Sequence, residues 1–485
     1  MRIITEIEQL IYRRTKIIAT LGPSSSDAPT IEKLIDVGIN VFRLNMSHGT
    51  HDGHREVYHR ARSIAQRLDK PVAVLADLCG PKIRVGAFEN GSITLADGDA
   101  VTVTTRDVMG KPGLIPSQYR ALAQDVAVGN HILLDDGNIE LVVTGIDGDD
   151  INCTVIAGAV LKDHKGMNLP GANVSAPSLT DKDRGDAAFA LELGVDFLAL
   201  SFVRRASDIE DLHRLIAEAN ASVAVVAKIE KPEALDNIDE ILTAADAIMV
   251  ARGDLGVELP PQNVPLAQDQ LIDLARQYRK PVIVATQMLE SMIEHHRPTR
   301  AEVSDVATAV RHGADAIMLS AETASGKHPV EAVKMMDNIA RQTEGYLWKQ
   351  GVFSSLAQKP EGERPYSIED ALSECMAKLS RDLMVRAIMV NSPQDRSLAV
   401  MSASRPAAPI VGICPDYHAS CVAGLLWGVI PLTVDFAATE DPHVLGRKTV
   451  IDLGVASKGD TILVVRGFST EPEENTPSVT VVTVY

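Results

Sequence analysis

The chain predicts an α/β protein: a closed (β/α)8 barrel of the TIM type, with a small β-barrel domain inserted in it and an open α/β sheet domain at its C-terminal side. Three observations carry this. Eight short, near-continuous apolar runs begin at Lys16, Val41, Val72, Phe197, Val223, Ala247, Val282 and Ala316, and helix-like segments separate them apart from one interruption. Strands buried on both faces read this way, and eight parallel βα units close into a barrel. Between about 86 and 177 the apolar period drops to two, the pattern of half-buried strands. After a linker-like stretch, Lys359–Glu363, five more runs alternate with helical segments. The expected division is 1–85 and 178–350 for the barrel, 86–177 for the insert and 351–485 for the last domain.

In chain order, Lys16–Thr20 is the first strand, closed by Gly22-Pro23, and Ser24–Asp27 offers caps for a helix reading IEKLIDVG. Val41–Leu44 carries Arg43 and leads into Asn45, Ser47 and His48; a helix over 54–68 follows, then Val72–Ala76, ending in Asp77. Within the insert, Ile93–Leu95, Val101–Val103, Ile132–Leu134 and Val155-Ile156 read as strands. Asp97-Gly98, Asp136-Gly137 and Asp147-Gly148 read as hairpin turns. Beyond Asp181 a faint repeat appears in GVDFLALS (194–201), AADAIMVA (244–251) and GADAIMLS (313–320). Between Val223–Ala227 and Ala247–Ala251, Leu235, Ile238, Ile241 and Leu242 mark one face of a crossover helix. Such a crossover joins parallel strands and brings their ends to one edge. In the last domain, strands are expected at 387–390, 410–413, 430–434, 462–465 and 479–484, and helices from near Ser367, Asp395, His418 and Asp441.

The 485 residues carry 47 basic and 65 acidic side chains, a net charge of −18. That argues against nucleic acid or an anionic membrane as the main partner, though a local basic pocket can still hold an anionic ligand. Five cysteines without a CxxC pair fit reduced thiols in a cytoplasm. The N-terminus lacks the pattern of a signal peptide, and no apolar run is long enough to span a membrane. The expected location is cytoplasmic.

At strand exits stand Arg43, Asn45, Asp77, Ser201, Lys228, Glu230, Arg252, Asp254, Thr286, Ser320 and Glu322. Any one of them reads equally as a solvated strand end or a helix cap. Their recurrence at nearly every strand argues for a site at the C-terminal mouth, where barrel enzymes keep theirs. Glu230 and Asp254 form the carboxylate pair that a hard cation such as Mg²⁺ wants. Lys228 ends an apolar strand and needs a partner. It is either an ion pair with Glu230 or a fixed charge for a phosphoryl group in flight. The planar forks of Arg43 and Arg84 suit phosphate clamps. Ser325–His328 resembles the tail of a P-loop but lacks its first Gly and its Ser/Thr.

Long motifs then carry a resemblance: TKIIATLGPSS (15–25), NVFRLNMSHGTH (40–51), GPKIR (80–84), KGMNLPG (165–171), LSFVR (200–204), VAKIEKPEA (226–234), MVARGDLGVELP (249–260), ATQMLESM (285–292), RPTRAEVSDVATAV (297–310) and MLSAETASGKHPVEAV (318–333). In these the chain closely resembles the pyruvate kinase family. The resemblance implies transfer of the phosphoryl group of phosphoenolpyruvate to ADP, then protonation of the enolate to pyruvate. It implies Lys228 as transition-state stabiliser, Glu230 and Asp254 as Mg²⁺ ligands, and Arg43, Gly253, Asp254, Thr286 and Lys228 as contacts to phosphoenolpyruvate. Asn45, Ser47, His48, Arg84 and Lys165 match nucleotide-phosphate contacts, and Thr286 and Ser320 the proton-relay region. A second Mg²⁺ on the nucleotide, Mn²⁺ as a substitute, a homotetramer and an inserted domain that closes as a lid are implied as well. Rival readings are a barrel lyase or aldolase using the same acids, and a silent regulator on this fold.

Two departures from the family pattern matter. Many members hold K⁺ at the positions of Asn45, Ser47, Asp77 and the carbonyl of Leu78, and carry Glu where this chain has Lys82. The expectation is a K⁺-independent enzyme in which Lys82 brings the charge. The family's phosphate loop for an effector aligns with Ser392–Ser397, where Gln394 and Asp395 replace a Ser and a Gly; the facing loop holds Glu471, Glu473 and Glu474. Activation by fructose 1,6-bisphosphate is not expected, and Arg396 and Ser397 are left to hold a monophosphate effector.

Overall fold

The computed structural model describes residues 10–172, 174–353, 367–391, 395–434, 441–466, 468 and 476–485. Eight parallel strands close a barrel: β1 (Lys16–Thr20), β2 (Val41–Asn45), β3 (Ala73–Asp77), then, after the insert, β12 (Phe197–Leu200), β13 (Ala224–Ile229), β14 (Ala247–Ala251), β15 (Val282–Ala285) and β16 (Ala316–Leu319). The ring runs in chain order and closes through β1 against β16, with Lys16 opposite Ala316. The apolar runs are continuous because both strand faces are buried. Alternate residues such as Ile18, Leu75, Val226, Met249 and Ile283 fill the interior, while Ile17, Leu44, Val225 and Val250 pack against the surrounding helices. Helices start at side-chain caps: Thr180 and Asp183, and Thr299 and Glu302, form reciprocal capping boxes.

The insert contains β4 (Ser92–Thr94), β5 (Ala100–Thr104), β6 (Leu114–Pro116), β7 (His131–Leu134), β8 (Ile139–Asp147), β9 (Asp150–Ala157), β10 (Val160–Lys162) and β11 (Met167–Asn168). Six of them form one sheet in the order β11-β7-β8-β9-β5-β6, and β10 pairs with β4. Ile93 and Leu161 of the pair share a core with Val103, Ile132, Leu141 and Val155 of the sheet. Asp136-Gly137 and Asp147-Gly148 do turn hairpins, β7 to β8 and β8 to β9. Asp97-Gly98 does not: β4 pairs with β10 and β5 with β9, so the turn only redirects the chain.

The crossover between β13 and β14 is two helices, Pro232–Asp236 and Ile238–Ala244, rather than one. They meet at Asn237, whose side-chain amide donates to Arg204 O at 2.9 Å. The apolar stripe is buried in the second helix at Ile238, Ile241 and Leu242, while Leu235 of the first is half-buried against the same core.

The last domain is a five-stranded sheet in the order β19-β18-β17-β20-β21, made of β17 (Ile388–Asn391), β18 (Ile410–Cys414), β19 (Val429–Thr433), β20 (Thr461–Arg466) and β21 (Ser478–Thr483). β21 is antiparallel to β20, and the other pairs are parallel. Helices Ile368–Asp382, Asp395–Ala403, Tyr417–Ala423 and Pro442–Asp452 connect the strands. Cys421 and Leu425, fully buried, join the apolar layer inside the barrel. The residue bounds of the three domains stand as our proposed division; Lys359–Glu363 lies outside the described residues. Among the described residues no helix is long and apolar enough to cross a membrane.

Candidate active site

The C-terminal ends of the barrel strands converge on Lys228. Its ammonium lies 2.9 Å from Glu230 Oε1 and 3.3 Å from Asp77 Oδ1, and donates to Ser201 Oγ at 2.7 Å. These partners come from β13, β3 and the exit of β12, so only closure of the barrel brings them together. Burial opposes the lysine's charge, but the two carboxylates outweigh it and hold its pKa above the ordinary value. Burial would likewise raise the Asp77 pKa; Lys228 and Arg43 more than offset it, and the carboxyl sits below its usual range. Arg43 Nε donates to Asp77 Oδ2 at 2.7 Å and Arg43 Nη1 to Thr20 Oγ1 at 3.0 Å. One buried aspartate therefore anchors two cations.

Glu230 is 1% exposed, and its second oxygen accepts from Phe202 N at 2.7 Å. Burial, and then the charge of Asp254, push its pKa up, with Lys228 opposing. Asp254 lies in the first turn of helix Arg252–Glu258, directly after β14. Among the described residues no group of three or more His, Cys, Asp or Glu side chains forms a metal cage. The pair Glu230 and Asp254 nevertheless fits Mg²⁺, which takes one or two carboxylates plus substrate oxygens. A divalent cation between the two acids would relieve the repulsion that raises Glu230.

Thr286 follows β15 in a left-handed backbone conformation, φ 69°, as does Gln287, φ 53°. A β-branched residue there is strained by order 1–3 kcal/mol, a cost that clusters at functional sites. Several bonds hold it: Gly253 N donates to Thr286 Oγ1 at 2.8 Å, Thr286 Oγ1 donates to Ala285 O at 2.6 Å, and Arg252 Nη2 donates to Thr286 O at 2.7 Å. A Cβ on Gly253 would meet Thr286 Oγ1 at 3.5 Å, an ordinary contact, so crowding in this conformation does not explain that glycine. Gly80 is different. Its φ is 68°, and a Cβ would lie 2.9 Å from Ser201 Cβ, so only glycine lets the Gly80–Lys82 turn approach β12. Ser320 N donates to Glu322 Oε2 at 2.8 Å, and burial raises the Glu322 pKa.

The other expected residues are placed less uniformly. Asn45 is the neighbour of Asp77 across β2 and β3, and its side-chain oxygen accepts from Ser47 N at 3.1 Å. Ser47 and His48 are exposed. Arg84 donates to His164 O at 3.0 Å, and Lys165 is 2.7 Å from Asp135 within the insert, so neither contacts the Lys228 cluster here. The structure does not set Lys82 against Asp77: its ammonium is 4.0 Å from Asp254 Oδ1, Asp77 is taken by Arg43 and Lys228, and Leu78 O accepts from Ser201 Oγ at 2.8 Å. Ser397 is fully buried, with its hydroxyl accepting from Phe468 N at 2.8 Å. The Arg396 side chain, Ser392–Gln394 and Glu471–Glu474 lie outside the described residues.

Sequence reasoning missed a bridge between insert and barrel. Asn168 of β11 donates to Glu258 Oε1 at 3.0 Å, and Lys231 Nζ is 2.5 Å from the same oxygen. Both residues lie in the motifs KGMNLPG and VARGDLGVELP, but nothing in either string says that they meet. Arg252 also does more than end a strand. It is pinned by Asp305 at 2.7 Å and holds the Thr286 turn.

A closed parallel barrel whose C-terminal mouth holds a charged lysine between buried acids is the framework of a barrel enzyme. Residues 12–333 match the family described as pyruvate kinase, barrel domain, and residues 370–482 match pyruvate kinase, alpha/beta domain. The chain is 42% identical over 456 residues to a pyruvate kinase of Mycobacterium intracellulare, covering 94% of this chain and 95% of that protein. It is also 42% identical over 466 residues to a pyruvate kinase of Geobacillus stearothermophilus, covering 94% of this chain and 78% of that one. The crystal structure of a pyruvate kinase from Cryptosporidium parvum superposes with a TM-score of 0.91 at 32% identity, over 98% of this chain and 96% of that chain. The chain belongs to the pyruvate kinase family and is a phosphotransferase.

Proposed function

We propose that the chain transfers the phosphoryl group of phosphoenolpyruvate to ADP, giving ATP and pyruvate, the closing substrate-level phosphorylation of glycolysis in a cytoplasm. The observation that carries this is the Lys228 ammonium, kept charged between Glu230 and Asp77 at the barrel mouth, beside Arg43. A phosphoryl group leaving the enol oxygen spreads negative charge over its oxygens, and fixed cations stabilise that charge without reorganising. Arg43, braced by Asp77 and Thr20, grips the phosphate; Lys228 stabilises it in transit. The P–O bond to the enol breaks as a terminal ADP oxygen bonds to phosphorus. The enolate then takes a proton at its methylene carbon from the side of Thr286 and Ser320. Mg²⁺ at Glu230 and Asp254 would supply Lewis-acid charge to the substrate oxygens.

Asn45, Ser47, His48, Arg84 and Lys165 line the route for the nucleotide phosphates, and the Asn168–Glu258 bridge supports a hinge role for the insert as a lid. We also read the enzyme as a homotetramer, K⁺-independent, and open to a phosphorylated effector other than fructose 1,6-bisphosphate. The test is ADP-dependent pyruvate formation from phosphoenolpyruvate by the purified chain. Pyruvate release at the same rate without ADP would instead favour a lyase.

A further inference from the structure

The loop that follows β2 is held by its backbone. Met46 N donates to Asp77 O at 3.0 Å, Lys182 Nζ donates to Met46 O at 2.9 Å, and His54 Nε2 lies 2.7 Å from His48 O. The side chains of Ser47 and His48 stay exposed. Lys182 comes from beyond the insert, in the first turn of helix Asp181–Leu193. Its ammonium also pairs with Asp186, one turn further along that helix. The other oxygen of Asp186 lies 2.8 Å from His51 Nε2, and a carboxylate only accepts, so that nitrogen carries the hydrogen. His51 opens helix His51–Arg67 and stacks on Phe189, with ring centres 4.1 Å apart.

A Lys–Asp pair at this helical spacing is usually a surface pair of little consequence. Here the carboxylate is 5% exposed, and its partners reach out of the helix. Asp186 staples the segment 46–51 at both ends, at Met46 through Lys182 and at His51 directly. In the same helix end, Asp183 Oδ1 accepts from Gly80 N at 3.1 Å, in the turn that leads into the insert.

We propose that Lys182 and Asp186 are positioning residues for the nucleotide: they fix the loop that meets the diphosphate of ADP, Lys182 through the Met46 carbonyl and Asp186 through Lys182 and His51. The inference rests on the reading of Asn45, Ser47 and His48 as nucleotide-phosphate contacts. A loop gripped by its backbone leaves its side chains to the ligand, and small errors of placement are costly in group transfer. Because Asp183 holds the entry turn of the insert, one helix end supports both the nucleotide loop and that turn.

Steady-state kinetics of the full chain with Mg²⁺ test this. Lys182→Met should raise KM for ADP about tenfold and leave KM for phosphoenolpyruvate within about twofold. Its melting temperature should stay within about 2 °C of wild type, since the Lys182 side chain is more than half exposed. Lys182→Arg keeps a donor and the charge and should bring KM for ADP back to within about threefold of wild type. Asp186→Asn should move KM for ADP in the same direction, and the double variant should be no worse than the poorer single one, because both act through one loop. Lys182→Met carries the test even where Asp186→Asn weakens the fold. An unchanged KM for ADP in Lys182→Met, an equal rise in both KM values, or additive effects in the double variant would overturn the positioning role alone, provided that the wild type turns over with ADP. A wild-type chain without ADP-dependent turnover would overturn the underlying reading, and this inference with it.

Discussion

The backbone N–H of Gly253 donates to Thr286 Oγ1 at 2.8 Å, tying the start of helix Arg252–Glu258 to the end of β15. Through this bond a residue in a strained left-handed conformation fixes the turn that carries Asp254. Thr286→Ala keeps the strain and loses the bond, so it should cost about 1–2 kcal/mol of stability. Thr286→Gly loses the bond but relieves the strain and should melt close to wild type. Both should lower kcat/KM by about 10- to 100-fold, since each frees the Asp254 turn. Paired melting curves and initial rates separate the two effects.

Lys228 neutralises two buried carboxylates, so its removal reaches beyond chemistry. Lys228→Met should lower kcat by at least about 10³-fold. It should also destabilise the fold by about 3–5 kcal/mol at pH 7, because buried Glu230 is left without its cation and Asp77 keeps only Arg43. The Asp77 pKa is depressed, so the stability it contributes is present above its unfolded value near 4 and lost as the pH falls through its folded value. The variant's deficit should therefore be largest near neutrality and shrink in acid. Melting curves at pH 7 and pH 3 check this; an equal deficit at both would contradict the ion-pair assignment.

Lys82 stands near Asp254 rather than in the pocket of Asn45 and Asp77, yet it still brings a covalent positive charge to the mouth. Rates in tetramethylammonium chloride should match those in potassium chloride. A tenfold or greater stimulation by K⁺ would refute K⁺ independence. Lys82→Glu should create a K⁺ requirement.

The fold was legible because parallel strands buried on both sides write themselves as unbroken apolar runs, and β1 to β3 and β12 to β16 lie where those runs are. The insert was less legible because strand partners there are distant. Ser92 pairs with Lys162, so a local Asp97-Gly98 signal could not identify the partner of β4. The same limit applies at the mouth. The types and spacing of Lys228, Glu230 and Asp254 show in one stretch, but Asp77 as a counter-ion of Lys228 depends on how the barrel closes. The Asn168–Glu258 bridge joins positions 90 residues apart and leaves no periodic trace.

Beneath the barrel, Lys16 is buried and donates to Val429 O of β19. Burial drives its pKa down to about 7, Arg13 and Arg14 adding to the fall while Glu344 and Asp315 oppose it. The unfolded lysine keeps an ordinary value near 10.4. Between about pH 7 and 10 the unfolded chain thus binds a proton that the folded chain does not, and stability rises with pH by up to roughly 1.4 kcal/mol per unit. The difference in unfolding free energy between wild type and Lys16→Met should move in favour of wild type from pH 7 to pH 9. Denaturant unfolding at the two pH values measures it, and a constant difference would reject the buried, neutralised lysine.

Cys421 and Leu425 come from the C-terminal domain yet complete the apolar layer inside the barrel. The barrel thus has a floor that its own strands do not supply, made by chain synthesised long after β16. Until that floor arrives, the lower ends of the strands face water. The catalytic body and the domain beneath it therefore reach their final packing together, and any force that lifts the floor is felt by the same strands whose upper ends hold Lys228 and Thr286.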